Sequence, residues 1–137
     1  MNEFLPIKNK KIGILGAGQS GIAAAKLAYE LGANVFVSDI NEKNKINFKG
    51  KIQTEFGCHS NKILDSDFII KSPGISRKSK IMKEILDSST PIVSELEFAS
   101  WFTKSFIIAL TGTNGKTTTV ELINKILSDY GLKTFLG

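Results

Sequence analysis

Short apolar runs alternate with stretches of helical spacing along most of the chain, and glycine or aspartate marks the junctions. Lys11-Ile12-Gly13-Ile14-Leu15 is apolar and ends at a glycine cluster, which predicts a buried parallel strand. From Ser20 the spacing turns helical: Ala23, Leu27 and Leu31 recur on one face beside Ala24 and Ala28, and Gly32 supplies the stop. Val35-Phe36-Val37 reads as a second strand, closed by Ser38-Asp39. The polar stretch Ile40 to Gly50 predicts a surface loop or a frayed helix. A weak third strand is expected over Lys51 to Phe56, and a stronger one over Asp67 to Lys71, stopped by Ser72-Pro73-Gly74. Ser79 to Leu86 sets Ile81, Ile85 and Leu86 on one helical face, and Pro91-Ile92-Val93 reads as a further short strand. Strand–helix alternation of this kind predicts an α/β fold with a Rossmann-like parallel sheet.

The pattern changes near Glu95 to Lys104, where Leu96, Phe98, Trp101 and Phe102 lie in a short helical segment. We read this segment as the connection between two domains, 1–97 and 98–137. Phe106 to Leu110 predicts a fresh strand. The helix after it carries Val120, Ile123, Ile126, Leu127 and Tyr130, and Gly131 closes it. One strand, one helix and a stub cannot bury their own apolar faces, so 98–137 is expected to be the start of a longer domain. Phe68, Ile69, Ile70, Leu96, Phe98 and Trp101 are assigned to core or interdomain packing.

Composition narrows the function classes. The hydrophobic share of 42% suits a packed core rather than disorder. The net charge of +5 suits phosphorylated partners, but Arg77 is the only arginine and the lysines form no long run, so no nucleic-acid partner is expected. One cysteine, Cys58, excludes an intrachain disulfide and a cysteine-rich metal site; it and the neighbouring His59 read as structural, Cys58 as a half-buried apolar residue. No run approaches the roughly 20 apolar residues of a membrane span. Met1 to Lys11 lacks the apolar centre of a signal peptide, so a cytoplasmic location and no membrane partner are expected.

Two glycine loops carry the chemistry. Gly16-Ala17-Gly18-Gln19-Ser20-Gly21 follows a strand and opens a helix. The first glycine permits the turn, the second lets a phosphate approach the backbone, and the third lets helix and strand pack closely. The helix N-terminus offers N–H groups and partial positive charge to an anion. Asp39, ending the second strand, stands where an acidic residue would meet a ribose. A nucleotide phosphate site is the functional reading, with NAD the default ligand; a glycine turn that only tightens packing is the alternative. Ser72-Pro73-Gly74 is open to the same alternative, a plain turn.

The second loop, Thr111-Gly112-Thr113-Asn114-Gly115-Lys116-Thr117-Thr118, lies between an apolar run and an amphipathic helix. Backbone N–H groups of such a loop wrap phosphate oxygens, the lysine ammonium reaches the terminal phosphates, and the Thr117 hydroxyl is placed for magnesium. The generic P-loop has an earlier glycine where this chain has Leu110, and Gly112 takes over within the loop. An ATP site is expected.

Thr-Gly-Thr-Asn-Gly-Lys-Thr-Thr after an apolar strand resembles the ATP loop of the Mur ligase family. Gly13 to Gly21, Val37-Ser38-Asp39, Lys71 to Ile75 and Glu95-Leu96-Glu97 extend the resemblance over nearly the whole chain, in order. Within the family the likeness is to the branch that adds D-glutamate; Asn114 stands where the branch kept as the alternative has histidine. The resemblance implies peptidoglycan synthesis by carboxylate activation. ATP phosphorylates a carboxylate of UDP-N-acetylmuramoyl-L-alanine, and the amine of D-glutamate attacks the acyl phosphate. It also implies that the first loop binds UDP instead of NAD, through Gly16, Gly18, Gln19, Ser20 and Gly21, with Asp39, Ile40, Asn41, Ser72, Pro73 and Gly74 on the uridine and sugar side. Ile40-Asn41 replaces an expected Thr-Arg. ATP would be held by Gly112, Thr113, Asn114, Gly115, Lys116, Thr117 and Thr118, with Lys116 catalytic and Thr117 on Mg2+. The remaining magnesium ligands and the D-glutamate site would lie beyond Gly137, leaving this portion inactive alone, and a monomer is expected. An NAD(P)-binding oxidoreductase domain explains only the first loop, and a non-catalytic nucleotide-binding module is the third possibility.

Overall fold

The computed structural model describes residues 7–137, so the expectation for Met1 to Lys11 falls largely on residues 1–6, outside those described. The chain forms two compact units, one ending at Thr103 and the other spanning Lys104–Gly137.

In the first unit, five strands make one parallel sheet: β1 Lys11–Leu15, β2 Asn34–Asp39, β3 Gln53–Phe56, β4 Phe68–Lys71 and β5 Ile92–Ser94. Their spatial order is β3-β2-β1-β4-β5. The chain therefore leaves β1 toward one edge and returns to β1's other side with β4. In open α/β sheets ligands bind at the carboxyl ends of the strands where the order reverses, which here is between β1 and β4.

Alternation along the strands divides the core between two faces. Ile12, Ile14, Val35, Val37 and Ile70 meet helix α1 (Gln19–Glu30) and helix α3 (Glu95–Ser100) on one face. Leu15 and Ile69 meet Ile63 and helix α2 (Lys80–Asp87), through Ile81, Met82 and Ile85, on the other. The buried positions of α1 are Gly21, Ala24, Ala25 and Ala28, a stripe of small side chains that lets the helix lie close to the sheet. Gly13, in the middle of β1, leaves room for a short 3₁₀ turn, Asn61–Asp65, that the sequence pattern did not reveal. A Cβ at Gly13 would lie 2.8 Å from both Ile63 and Ser66 side-chain atoms.

Some expectations change, and the one for Ile40 to Gly50 holds. The segment near Glu95 to Lys104 is not a bare connection: Phe98 is fully buried in the first unit, and Phe68, Trp101 and Phe102 surround it with ring centroids 5.1–6.3 Å apart. The division of the chain accordingly falls at Thr103, past the break expected at 97/98. Cys58 is exposed, not half-buried. Ile40 to Gly50 holds one short 3₁₀ turn, Glu42–Asn44, in an otherwise irregular loop.

The second unit contains helix α4, Lys116–Asp129, ending near Gly131 as expected. Phe106 to Leu110 forms no strand. A strand is defined by a hydrogen-bonded neighbour, and residues 104–137 supply none. Phe106 is 92% exposed, and α4 has no buried residue. Among the described residues no helix is long and apolar enough to cross a membrane.

Candidate functional site

The first glycine loop joins β1 to α1 at the reversal point of the sheet. Gly16 has φ +107°, in the region that favours glycine, and a Cβ there would lie 2.7 Å from the Ser72 hydroxyl oxygen. At Gly21 a Cβ would stand 2.1 Å from the Gly16 carbonyl oxygen, so only glycine lets α1 start this close to the turn. Gly18 differs: a Cβ would meet nothing within 4 Å. Its side of the loop is open to an approaching group. Gly18 is also the N-cap of α1, with no side-chain cap and no acidic residue in the first turn. That end of the helix carries no acidic residue of its own, and the carboxylates near it come from other elements.

Two carboxylates tie the loop and its neighbours in place. Asp39, 6% exposed at the end of β2, accepts from the Ala17 N–H at 2.7 Å and from the Asn44 side-chain amide at 2.9 Å on one oxygen. Its other oxygen accepts from the Asn41 N–H at 2.7 Å. Burial pushes this carboxyl up, but the Ala17 and Asn41 N–H groups, then Asn44 and the nearby His59, outweigh it, and the net direction is below the ordinary value. Both oxygens of Asp39 thus hold the protein's own donors. Glu95, in the first turn of α3, accepts from the Ser20 hydroxyl at 2.6 Å and, on its other oxygen, from the Ser72 hydroxyl. Ser72 lies between the loop and β4, its hydroxyl 3.5 Å from the Gly16 carbonyl.

Of the residues predicted for this site, Gly16, Gly21, Ser20, Asp39 and Ser72 come together around the loop. Ser72 to Ile75 closes as a turn through an Ile75 N–H to Ser72 carbonyl bond of 3.2 Å, with Pro73 and Gly74 exposed on it. Ile40 is 65% exposed, and Asn41 caps the following turn by accepting from the Lys43 N–H at 3.0 Å. Sequence reasoning quoted Glu95 as part of a motif and gave it no role. Its signal was its place directly after an apolar run, where the carboxyl end of a parallel strand would deliver it to the ligand side of the sheet.

A second polar cluster lies beside the site, at the ends of β2 and β3. The buried Ser38 hydroxyl stands 2.8 Å from His59 Nδ1 and 3.1 Å from Glu55 Oε1, and Glu55 also accepts from the Ser60 N–H at 2.6 Å. Burial raises the Glu55 carboxyl, but the Ser60 and Ser38 donors and Lys62 bring it below its ordinary value. Burial lowers His59, only partly opposed by Asp39 and Glu55. His59 thus belongs to this hydrogen-bonded cluster through Ser38. Among the described residues no group of three or more His, Cys, Asp and Glu side chains is placed to hold a metal.

In the second unit, Gly115 is the N-cap of α4 with φ +76°, and its carbonyl accepts from the Thr119 N–H at 3.0 Å. Lys116 folds back so that its ammonium donates to the Gly112 carbonyl. Gly112, Thr113, Asn114, Thr117 and Thr118 are exposed around it, and α4 has no acidic residue in its first turn. A bare helix start, a left-handed glycine and a lysine curled over the loop fit an anion with several oxygens.

Residues 10–94 match the family model for the N-terminal domain of MurD-like Mur ligases. The chain is 43% identical over 131 residues to the UDP-N-acetylmuramoylalanine–D-glutamate ligase of Chloroherpeton thalassium, covering 91% of this chain and 28% of that protein. It is 47% identical over 127 residues to the enzyme of that name from Elusimicrobium minutum, covering 90% and 28%. A solved structure, the UDP-N-acetylmuramate–alanine ligase MurC of Thermotoga maritima, is similar at 26% identity with a TM-score of 0.52, over 93% of this chain and 32% of that one. The chain thus spans under a third of the length of these relatives. It belongs to the Mur ligase family, and residues 10–94 are its MurD-like N-terminal domain.

Proposed function

We propose that the chain is the substrate-nucleotide and ATP-loop portion of a UDP-N-acetylmuramoyl-L-alanine:D-glutamate ligase, an ATP-dependent enzyme that forms an amide bond in the cytoplasm. The observation that carries this reading is the pairing of two phosphate-type loops of different design, with the relatives of 43% and 47% identity spanning both. An NAD(P)-dependent oxidoreductase domain would leave residues 111–118 without a purpose.

On this reading the uridine nucleotide sits at the carboxyl ends of β1 and β4, over the open side of Gly18, with its diphosphate at the α1 N-terminus. Gln19 and Ser20 begin that helix, while Asp39, Ile40, Asn41 and Ser72 to Gly74 frame the uridine and sugar side. Asp39 serves there by fixing Ala17 and Asn41, since its oxygens are already engaged. ATP, bound with magnesium, supplies the phosphoryl group that activates the substrate carboxylate. Gly112 to Thr118 would hold it: Lys116 releases the Gly112 carbonyl to neutralise phosphate charge, and the Thr117 hydroxyl is the magnesium contact this segment offers. Positioning and charge stabilisation are the chemistry these residues provide.

Titration calorimetry with UDP-N-acetylmuramoyl-L-alanine, Mg-ATP and NAD tests the assignment. Saturable binding of the first two and none of NAD is expected. Saturable NAD binding without response to the UDP precursor would refute the ligase reading of the first unit.

A further inference from the structure

We infer that Glu95 is a positioning residue for the nucleotide site, a latch that spans the crevice between the α1 side and the β4 side of the sheet; this rests on the uridine nucleotide binding there. The geometry is a bridge. Ser20 belongs to the first turn of α1, which follows β1, and Ser72 begins the turn that follows β4. These are the two strands between which the order of the sheet reverses. Glu95 takes one hydroxyl on each carboxylate oxygen, so a single side chain ties together the two walls of the crevice.

The bridge is built on a rigid base. Ser94 caps α3 by accepting from the Glu97 N–H at 3.1 Å, and Phe98, one turn further on, is fully buried. Glu95 therefore projects from a helix start fixed at both ends, as a positioning group must. Ser72 passes the constraint on, because its side chain packs against the positions where Gly16 and Gly21 would carry a Cβ. Asp39 holds the loop from the β2 side through Ala17, and Glu95 holds it from the β4 side through Ser72.

The chemistry of the bridge also sets what the two serines can do. Both hydroxyls donate their single proton to the Glu95 carboxylate oxygens. Their remaining lone pairs can take a donor, such as a sugar hydroxyl, but neither serine has a proton left for a phosphate oxygen. Phosphate binding then falls to the backbone N–H groups at the start of α1. Ser20 and Ser72, named from sequence as UDP contacts, act through Glu95 as parts of the frame.

Calorimetry with UDP as the probe, on the whole chain, tests this with a double-mutant cycle. Glu95→Ala should weaken UDP binding at least tenfold. Glu95→Gln, which keeps the length and one acceptor oxygen, should recover at least half of that loss on a logarithmic scale. Ser20→Ala should cost several-fold in the parent chain and nothing further beside Glu95→Ala. The Trp101 emission and the denaturant unfolding midpoint of the first unit should stay the same throughout, which a general loss of folding would not allow. Unchanged or tighter UDP binding in Glu95→Ala, no recovery in Glu95→Gln, or an equal Ser20→Ala penalty in both backgrounds would each overturn the inference alone. Failure of the parent chain to bind UDP would instead overturn the assignment of the nucleotide site, and the inference with it.

Discussion

The two glycine loops of this chain are held by different means. The first is shaped by residues distant in sequence: Asp39 reaches Ala17, Ser72 fills the space beside Gly16 and Gly21, and Glu95 ties Ser20 to Ser72. The second is shaped by its own neighbours. Gly115 turns left-handed, its carbonyl meets the Thr119 N–H, and Lys116 closes on Gly112. A loop fixed by tertiary contacts is pre-formed for its ligand, whereas a loop fixed locally depends on the ligand and on whatever packs around it. The comparison teaches that similar glycine patterns do not imply similar rigidity.

The largest test of that difference is the core beneath each loop. Ile70→Ala, at a position with no exposed surface, should cost about 2–5 kcal/mol in denaturant unfolding followed by Trp101 fluorescence. Ile126→Ala, where the side chain is 57% exposed on α4, should stay within about 0.5 kcal/mol. Equal effects would erase the contrast. A smaller effect is expected from the glycines. Gly21→Ala drives a Cβ against the Gly16 carbonyl and should cost about 1–3 kcal/mol. At Gly115 a Cβ meets nothing, and only the left-handed backbone resists, at about 1–2 kcal/mol, so Gly115→Ala should destabilise less.

Next comes Lys116→Ala, which should weaken Mg-ATP binding by at least about tenfold, or 1.4 kcal/mol, while UDP affinity is unchanged. Unaltered ATP affinity would remove Lys116 from the site. The smallest effect is in the pH dependence of the first unit. His59 lies below its ordinary 6.5 because of burial, so the unfolded chain takes up a proton first and stability falls as pH drops below about 6.5. Asp39 and Glu55 lie below their ordinary 3.8 and 4.5, so their contribution is present above those values and is lost as pH falls further. Unfolding series from pH 7.5 to 3.5 should show stability decreasing in both windows, with His59→Gln removing the upper step. A flat or rising profile would contradict the cluster as described.

Much of the first unit was legible because burial leaves a periodic trace. The β1 run, the α1 spacing and the asymmetric glycines each follow from local chemistry, and the strands fell within a residue or two of their predicted positions. What was not legible depended on spatial order. Nothing in Glu95-Leu96-Glu97 says that β5 lies beside β4, and without that neighbour Glu95 has no visible partner. Phe98 and Trp101 were assigned to packing from their apolar character, but not to the first unit, because a short helix packed on a sheet needs only one face and has too few turns to show which core it joins. The Asn61–Asp65 turn escaped notice because its anchor is the missing side chain of Gly13. Phe106 to Leu110 has strand composition, but a strand also needs a partner, which composition does not supply.

Amide hydrogen exchange with each nucleotide in turn tests the central claim, that two phosphate groups are gripped by main-chain N–H donors at two separate loops. UDP-N-acetylmuramoyl-L-alanine should slow exchange at residues 17–22 and leave 112–118 unchanged, and Mg-ATP should do the reverse. Protection of 17–22 by NAD, or no response of 112–118 to Mg-ATP, would contradict the account.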